Sequence, residues 1–461
     1  MAMFLQTVHA EGLNHLSYIL GDNGKAAVID PMRDCKVYVE IAKRHGARIE
    51  HIFETHRHED FVVGSLELAR RTKARIHHGD ALPFKYGETV RENDQFDLGK
   101  LTLKIIETPG HTVESISILV MDKNFGKRPV AVFTGDTLFV GDTGRTDLDA
   151  AKAEEMAGKL YYSIHKKLLP LGDQTIIYPA HGQGSVSGTD IASRKFSTIG
   201  YERLCNPALK KNRREFIRSK LEEEHYYAPY FRKMERFNQD GIQLVTKLPE
   251  PKPVNADTFS HTMESGEMFL LDIRSAEAFA GAHISGSLNI PLAILPIYGG
   301  WFLPYDQKIA LIAEQDRDVE QAQTALMRLG FDNLEQYLAG GIWSWITTGK
   351  ALEAIPAIDI ATLYKRIDDK EELLVLDVRS HREYENAPSA RSRRIWLGEL
   401  PQQVGNLPQN RKIVTLCGEG QRASVAASYL RRHNDRFRDV ELCLGAVTTY
   451  ASFLPHQKAA Q

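Results

Sequence analysis

Cysteine is scarce in this chain of 461 residues: Cys35, Cys205, Cys417 and Cys443 are the whole set, far apart in sequence. So few, so widely spread, exclude a disulfide scaffold and suit a reducing compartment, the cytoplasm, where a thiol stays reactive. A dominant charge is missing as well. The 58 basic and 60 acidic residues leave a net charge of −2, which supplies no electrostatic reason for nucleic acid or an anionic membrane as partner. Long apolar runs are also absent. The most apolar stretch, NIPLAILPIYGGWFLPY, is broken by Pro and Gly and is too short to span a bilayer. The opening MAMFLQTVHAEG has neither the basic nor the apolar region of a signal peptide. The length exceeds what one core holds, so roughly two to four domains are expected.

What is present is α/β patterning. Over residues 1–246, AAVID, IEHIFETH, ARIHHG, LTLKIIETPGH, VAVFTGD and QTIIYPAHG read as strands that each deliver a polar residue at the C-terminal end. SLELARRTK and AAKAEEMAGKLYYSIHKKL read as helices between them. The Pro-rich VTKLPEPKPVNA reads as a linker. Beyond it the chain repeats itself. FLLDIRSAEAF matches LVLDVRSHREY, and KIALIAEQDRDVEQAQTALMRLGF matches KIVTLCGEGQRASVAASYLRRHND. LAGGIWSW then echoes CLGAVTTY. Three domains are expected, over residues 1–246, 257–352 and 356–461, the last two being copies of one strand–loop–helix unit.

A single histidine seldom means a metal, but here the candidates form a set. His56, His58, Asp60, His111, Asp136 and His181 each follow an expected strand, so all can converge on one rim of a sheet. Imidazoles and carboxylates in that arrangement are a ligand set for zinc or iron. The motifs THRHED, TPGHT, TGDTLF, GRTDL and YPAHG resemble those of the metallo-β-lactamase superfamily, and GDTLFVGDTGRTDL is similar to its glyoxalase II and persulfide dioxygenase branches. The resemblance implies an αββα sandwich with the metal at one edge. Likeness to the persulfide dioxygenases implies that His56, His111 and Asp136 hold one Fe(II) per chain, zinc being the alternative. His58, Asp60 and His181 then orient ligands, bound water or substrate. Phe61 stands where the superfamily's HxHxDH motif ends in His. It removes a ligand from a second metal site and puts an apolar ring there, so a mononuclear centre is expected. Arg145, close in sequence to Asp136, has two open readings: an anchor for an anionic thiol carrier, or a salt bridge within its own loop.

In KIVTLCGEGQRASVAASYL, Cys417 ends an apolar strand and a helix opens near Arg422. Gly418, Glu419, Gly420 and Gln421 can curl so that backbone N–H groups face the sulfur. Such a nest, a helix N-terminus and Arg422 would favour a thiolate or persulfide on Cys417. The CxxGxR pattern, with LDVR upstream, resembles the rhodanese sulfurtransferases, as does GAHISGSLNIP in the first copy. That copy has Ala313 at the nucleophile position and Asp318 where the second has Arg422, so it is expected to be inactive, an interface or spacer. Cys205 is a candidate sulfur relay, with a packed thiol as the alternative; Cys35 and Cys443 read as structural.

The full order of domains resembles the CstB-type persulfide dioxygenase–sulfurtransferases. The resemblance implies a low-molecular-weight or protein persulfide and O2 as substrates, sulfite as the product of the first stage, and thiosulfate as the product of the second. Such proteins act in sulfide detoxification, and a homo-oligomer is expected by family likeness. Two alternatives remain open: a glyoxalase II-like zinc thioester hydrolase fused to a sulfurtransferase, or a sulfurtransferase or persulfide-binding scaffold with a degenerate metal domain.

Overall fold

A computed structural model describes residues 3–126, 128–389, 391–433, 436–445 and 447, so the end of the CLGAVTTY echo and everything beyond it lie outside the described residues. The chain divides into two compact units, Met1–Leu248 with Met327–Gly330, and Pro249–Leu326 with Phe331–Gln461. The first contains two six-stranded sheets. Strands β1 (Phe4–Ala10), β2 (His15–Asp22), β3 (Lys25–Ile29), β4 (Arg48–Phe53), β5 (Arg75–Gly79) and β6 (Glu88–Val90) lie in chain order in one sheet. The other runs from β7 (Gln95–Leu98) through β8 (Leu101–Glu107), β9 (Ile116–Asp122), β10 (Pro129–Gly135) and β11 (Ile176–Pro179) to β12 (Ser197–Thr198).

Alternation makes the sandwich. Leu16, Tyr18 and Leu20 on β2 share a core with Leu101, Leu103 and Ile105 on β8 and with Ala131 and Phe133 on β10, so these faces of the two sheets meet. Their neighbours in sequence point the other way. Ile19 and Val28 pack against Tyr38 and Ile41 of the helix Lys36–Arg44 and Leu68 of the helix Ser65–Thr72. Val132 and Ile177 pack against Leu160 of the helix Ala153–Tyr162 and Phe216 of the helix Arg213–Glu222. Both sheets are therefore covered outside by helices, giving the expected αββα order. Its catalytic consequence lies at the ends of β4, β8, β10 and β11, which deliver the polar loops.

The second unit holds two five-stranded sheets whose recorded pairings are all parallel. The first comprises β13 (Lys252–Val254), β14 (Met268–Asp272), β15 (Leu288–Asn289), β16 (Lys308–Ile312) and β17 (Leu334–Leu338). The second comprises β18 (Ala357–Asp359), β19 (Leu373–Asp377), β20 (Ser392–Arg394), β21 (Lys412–Leu416) and β22 (Val440–Leu444). Their orders, β13-β17-β16-β14-β15 and β18-β22-β21-β19-β20, are the same topology twice. The linker expectation needs one correction. Its Lys252–Val254 is not free chain but an edge strand paired with β17, a position that tolerates Pro253 because an edge strand has a side without ladder bonds.

The LDIR and LDVR motifs have a structural meaning. Arg274 forks onto Asp272 and donates to the carbonyl of Ala282; Arg379 forks onto Asp377 and donates to the carbonyl of Ala387. All four side chains are buried. Each pair ties a strand end to the close of the following helix. Removing one partner would leave a buried charge without compensation, so Arg379→Met should lower the unfolding free energy of this unit by about 3–5 kcal/mol. Urea denaturation of the variant beside the wild type checks it.

Candidate functional site

Four strand ends of the first unit build one polar cluster. The loop after β4 carries His56, His58, Glu59, Asp60 and Phe61; His111 follows β8, Asp136 follows β10, and His181 follows β11. The turn at Gly135 (φ +52°) is possible because glycine has no Cβ, which would sit 2.7 Å from the Thr55 hydroxyl. That close approach sets Asp136 beside His56.

Asp136 Oδ2 lies 3.6 Å from His56 Nε2 and 3.6 Å from His111 Nε2. Two donor atoms about 2.1 Å from one ion stand about 3.0–3.5 Å apart, so Asp136 is placed to share an ion with each of these imidazoles after a small contraction. Their tautomers suit it. Thr55 spends its hydroxyl proton on Asp30, so its oxygen accepts from His56 Nδ1, and His111 Nδ1 donates to the carbonyl of Arg145. The Nε2 of His56 is thereby left facing Asp136, buried with no hydrogen-bond partner, while that of His111 also meets Glu59 at 3.3 Å. Burial and the neighbouring imidazoles hold His56 well below the usual histidine range, in the neutral form a metal needs.

The other expected residues join the same cluster. His181 Nδ1 donates to Asp136 at 2.8 Å, and its Nε2 lies 3.1 Å from Asp60. His58 Nε2 lies 3.2 Å from Asp30, which also accepts from the Thr55 amide. Phe61 is buried, its ring 4.5 Å from that of His58, as an apolar filler in place of a ligand.

Two residues of the cluster escaped sequence reasoning. Glu59 is fully buried, with one oxygen 3.3 Å from His111 Nε2 and the other accepting from Ser187. Burial opposes charge on both partners, but their mutual attraction wins, raising His111 to about 9 and holding Glu59 below the usual carboxylate range. A charged residue between His58 and Asp60 reads as solvent-facing, and no spacing rule points it inward. His15, on β2, is buried with its ring 4.2 Å from Phe61. It precedes an apolar strand and carries no motif, so only the pairing of β2 brings it here.

Of the two readings open for Arg145, the structure shows the salt bridge within its own loop. The residue is fully buried, forks onto Asp147 and donates to the carbonyls of Val186 and Tyr226. Its guanidinium is committed to closing the loop, and its own carbonyl orients His111. Arg57, Arg232 and Arg236 instead line a cavity of about 1090 Å³ that opens beside His111.

In the second unit, Cys417 follows β21 and is buried. Its Sγ accepts the N–H groups of Gly420 at 3.1 Å and Ala423 at 3.4 Å, the nest expected of Gly418–Glu419–Gly420–Gln421. Gly420 takes φ +88° to close the curl and begins the helix Gln421–Arg431. Arg422 departs from expectation. It forks onto Glu383 at 2.6 and 2.7 Å, so its charge reaches the loop already paired. The first repeat supports this loop. Tyr298 hydrogen-bonds Arg422, Asn289 of the LNIP motif accepts from Ser424 at 2.5 Å, and Trp301 meets Trp396 edge to face at 4.7 Å. Ala313 is buried at the position equivalent to Cys417, while Asp318 caps its own loop by accepting from Gln315.

All four cysteines are free. Cys35 and Cys443 are buried and pushed up to about 12, first by desolvation, which makes them inert packed thiols. Cys205 is exposed at the end of the helix Ile199–Cys205 and belongs to neither cluster.

A solved metallo-β-lactamase structure from Staphylococcus aureus subsp. aureus COL is 33% identical, with TM-score 0.65, covering 73% of this chain and 98% of that one. The chain belongs to the metallo-β-lactamase superfamily. Its family model matches residues 10–181, and the rhodanese-like domain model matches residues 255–348 and 359–447. The metallo-β-lactamase domain is homologous to the mitochondrial persulfide dioxygenase ETHE1 of Bos taurus, 28% identical over 211 residues, 44% of this chain and 74% of that protein. It is also similar to a hydroxyacylglutathione hydrolase of Rhizobium etli, 33% identical over 164 residues, 35% of this chain and 58% of that protein. The architecture is a metallo-β-lactamase domain fused to tandem rhodanese-like domains.

The Glu383–Arg422 pair predicts a pH signature. Burial works against the Glu383 carboxylate, but the Arg422 fork and the Ser380 backbone and hydroxyl lower it from 4.5 to about 2. A depressed folded-state value contributes stability that is present above about pH 4.5 and lost as pH falls through about 2. Glu383→Gln should therefore unfold more easily than the wild type at pH 7, with the difference shrinking between these limits. Urea midpoints of both proteins across that window measure it.

Proposed function

We propose that the metallo-β-lactamase domain is a non-haem Fe(II) persulfide dioxygenase, and that Cys417 turns its sulfite into thiosulfate. The observation that carries the reading is the convergence of His56 Nε2, His111 Nε2 and one oxygen of Asp136, two imidazoles and a carboxylate at a single rim. An ion held by that set would keep further positions open for substrate and oxygen. One iron per chain, when bound there, would supply O2 activation. Likeness to persulfide dioxygenases and the fusion to rhodanese-like domains support iron over zinc. The overall reaction balances as RSSH + O2 + H2O → RSH + SO3²⁻ + 2H⁺.

The protein's own groups do the rest. The cavity beside His111 has room for a low-molecular-weight thiol carrier, and its lining is polar and of mixed charge, with Arg57 on Glu235 and Arg236 on Asp240. In the second stage the Cys417 thiolate attacks the outer sulfur of a persulfide, and the carrier thiol leaves with the proton. The persulfide formed on Cys417 keeps its charge against the N–H groups of Gly420 and Ala423. Sulfite then attacks the outer sulfur, thiosulfate departs, and the Cys417 thiolate returns. Covalent fusion keeps sulfite at high effective concentration near its acceptor. Four free cysteines suit a reducing compartment such as the cytoplasm, and no helix among the described residues is long and apolar enough to cross a membrane.

Anaerobically purified protein should contain one iron per chain and consume O2 on addition of a persulfide, and His111→Ala should lose both. Cys417→Ser should keep O2 consumption while its product shifts from thiosulfate to sulfite, read by ion chromatography. Unchanged thiosulfate in that variant would overturn the second stage. The likeness to a hydroxyacylglutathione hydrolase favours one second reading, a zinc thioester hydrolase. Thioester turnover without oxygen uptake would replace the first reading by that one.

A further inference from the structure

The loop that carries His56, His58, Glu59 and Asp60 lies outside helix and strand, with one isolated bridge at Val63. Every residue over 55–64 except Arg57 is buried. Buried chain without a ladder must find partners elsewhere for its N–H and C=O groups. Three of those groups meet a single side chain. The Asn238 carboxamide donates from Nδ2 to the carbonyls of His58 at 2.8 Å and Phe61 at 2.7 Å, and its Oδ1 accepts the Val63 amide at 3.0 Å. Both protons of the NH2 group and the oxygen are in use, and only this orientation of the amide satisfies all three.

Those bonds shape the loop. His58 and Phe61 are three residues apart, and their carbonyl oxygens hold one nitrogen between them, no farther from each other than two hydrogen-bond lengths. The chain is pinched into a bend there, and the two residues inside it are Glu59 and Asp60. From that bend Glu59 reaches His111 Nε2 at 3.3 Å, and Asp60 reaches His181 Nε2 at 3.1 Å. His181 in turn donates to Asp136 at 2.8 Å. One carboxamide therefore sets the reach of both carboxylates that hold the histidines around Asp136.

Asn238 is itself firmly mounted. It is 1% exposed, on the buried face that Phe231 and Met234 share in the helix Phe231–Asp240. Its backbone carbonyl accepts the Tyr86 hydroxyl at 2.7 Å. One helical turn away and one residue on, Glu235 and Gln239 take the Arg57 guanidinium, each at 3.1 Å. Arg57, Glu235 and Gln239 line the cavity beside His111, whereas Asn238 does not. An asparagine inside a helix gains little from the helix itself, and burying its amide is costly unless it is fully bonded. The metal loop supplies those bonds.

We propose, resting on the reading of this rim as a metal centre, that Asn238 is a positioning residue for it. The side chain touches neither metal nor substrate; it acts through the bend that aims Glu59 at His111 and Asp60 at His181.

The test is Co(II) titration of the metal-free full-length protein, followed by calorimetry and by the visible ligand-field bands of the bound ion. The wild type should bind Co(II) far more tightly than His111→Ala. Asn238→Leu keeps the size and branching of the side chain and removes every hydrogen bond. It should bind Co(II) about 10–100-fold more weakly, the loss typical of removing an outer partner, with bands displaced from those of the wild type. Asn238→Asp keeps an acceptor for Val63 but has no donor for the two carbonyls, so it should fall with Asn238→Leu. Ile41→Ala, in the core beneath the helix Lys36–Arg44, should lower Tm while leaving Co(II) affinity and bands unchanged, which separates positioning from stability. Wild-type affinity and bands in the Asn238 variants would overturn the proposal and leave the metal centre standing. Equal affinity of the wild type and His111→Ala would overturn the metal centre, and the proposal with it.

Discussion

The carboxylate of Asp136 is the constraint on which the first unit depends. Its two oxygens face three imidazoles, Oδ2 toward His56 and His111 and Oδ1 toward His181. Those four residues arrive from the ends of four different strands, so their convergence requires both sheets to be in register with each other. The sandwich core does this by burying alternate residues of β2, β8 and β10. The close packing of Gly135 on Thr55 then transmits that registration to the carboxylate itself. A slip of one residue in β10 would send Asp136 to the opposite face and dismantle the cluster, because side chains on a strand alternate with period two.

The second unit rests on a different economy. Both repeats keep the Asp–Arg fork that closes the first strand–helix element, because a buried ion pair cannot lose one member cheaply. The nucleophile loop is under no such constraint, so Ala313 can stand where its counterpart is Cys417 without disturbing the strand beneath. The first repeat also contributes contacts to the second. Asn289 and Tyr298 hold the helix and the arginine that frame Cys417, which gives the first repeat a part in the loop of the second. Arg422 is in turn steered by Glu383, so the loop's positive charge is fixed in place rather than mobile.

Much of this was legible in the chain before any coordinates. Strand-end motifs located His56, His111, Asp136 and His181, since a polar residue directly after a β-branched run has little choice but the sheet rim. The internal repeat and the CGEGQR loop located Cys417 and its N–H nest, because two glycines and a helix start leave one compact way to turn. These are local signals, complete within a dozen residues. Arg145 marks their limit. Sequence left it two readings, a charge that meets substrate or a salt bridge within its own loop, and Asp147, only two residues away, takes the guanidinium in a fork.

By itself, then, the sequence determined the alternating α/β plan, the tandem repeat and the strand-end positions of the polar residues, which follow from periodicity and spacing, while the αββα order came from the family resemblance of its motifs. Only the tertiary structure decided which polar residues turn inward. Glu59 sits one position from Asp60 and could have faced solvent, and Glu383 lies far in sequence from Arg422. His15 reaches the cluster through an isolated antiparallel bridge to His181, and Phe61 packs against its ring. Such contacts are long-range, set by how the sheets stack, and no short window of residues encodes them.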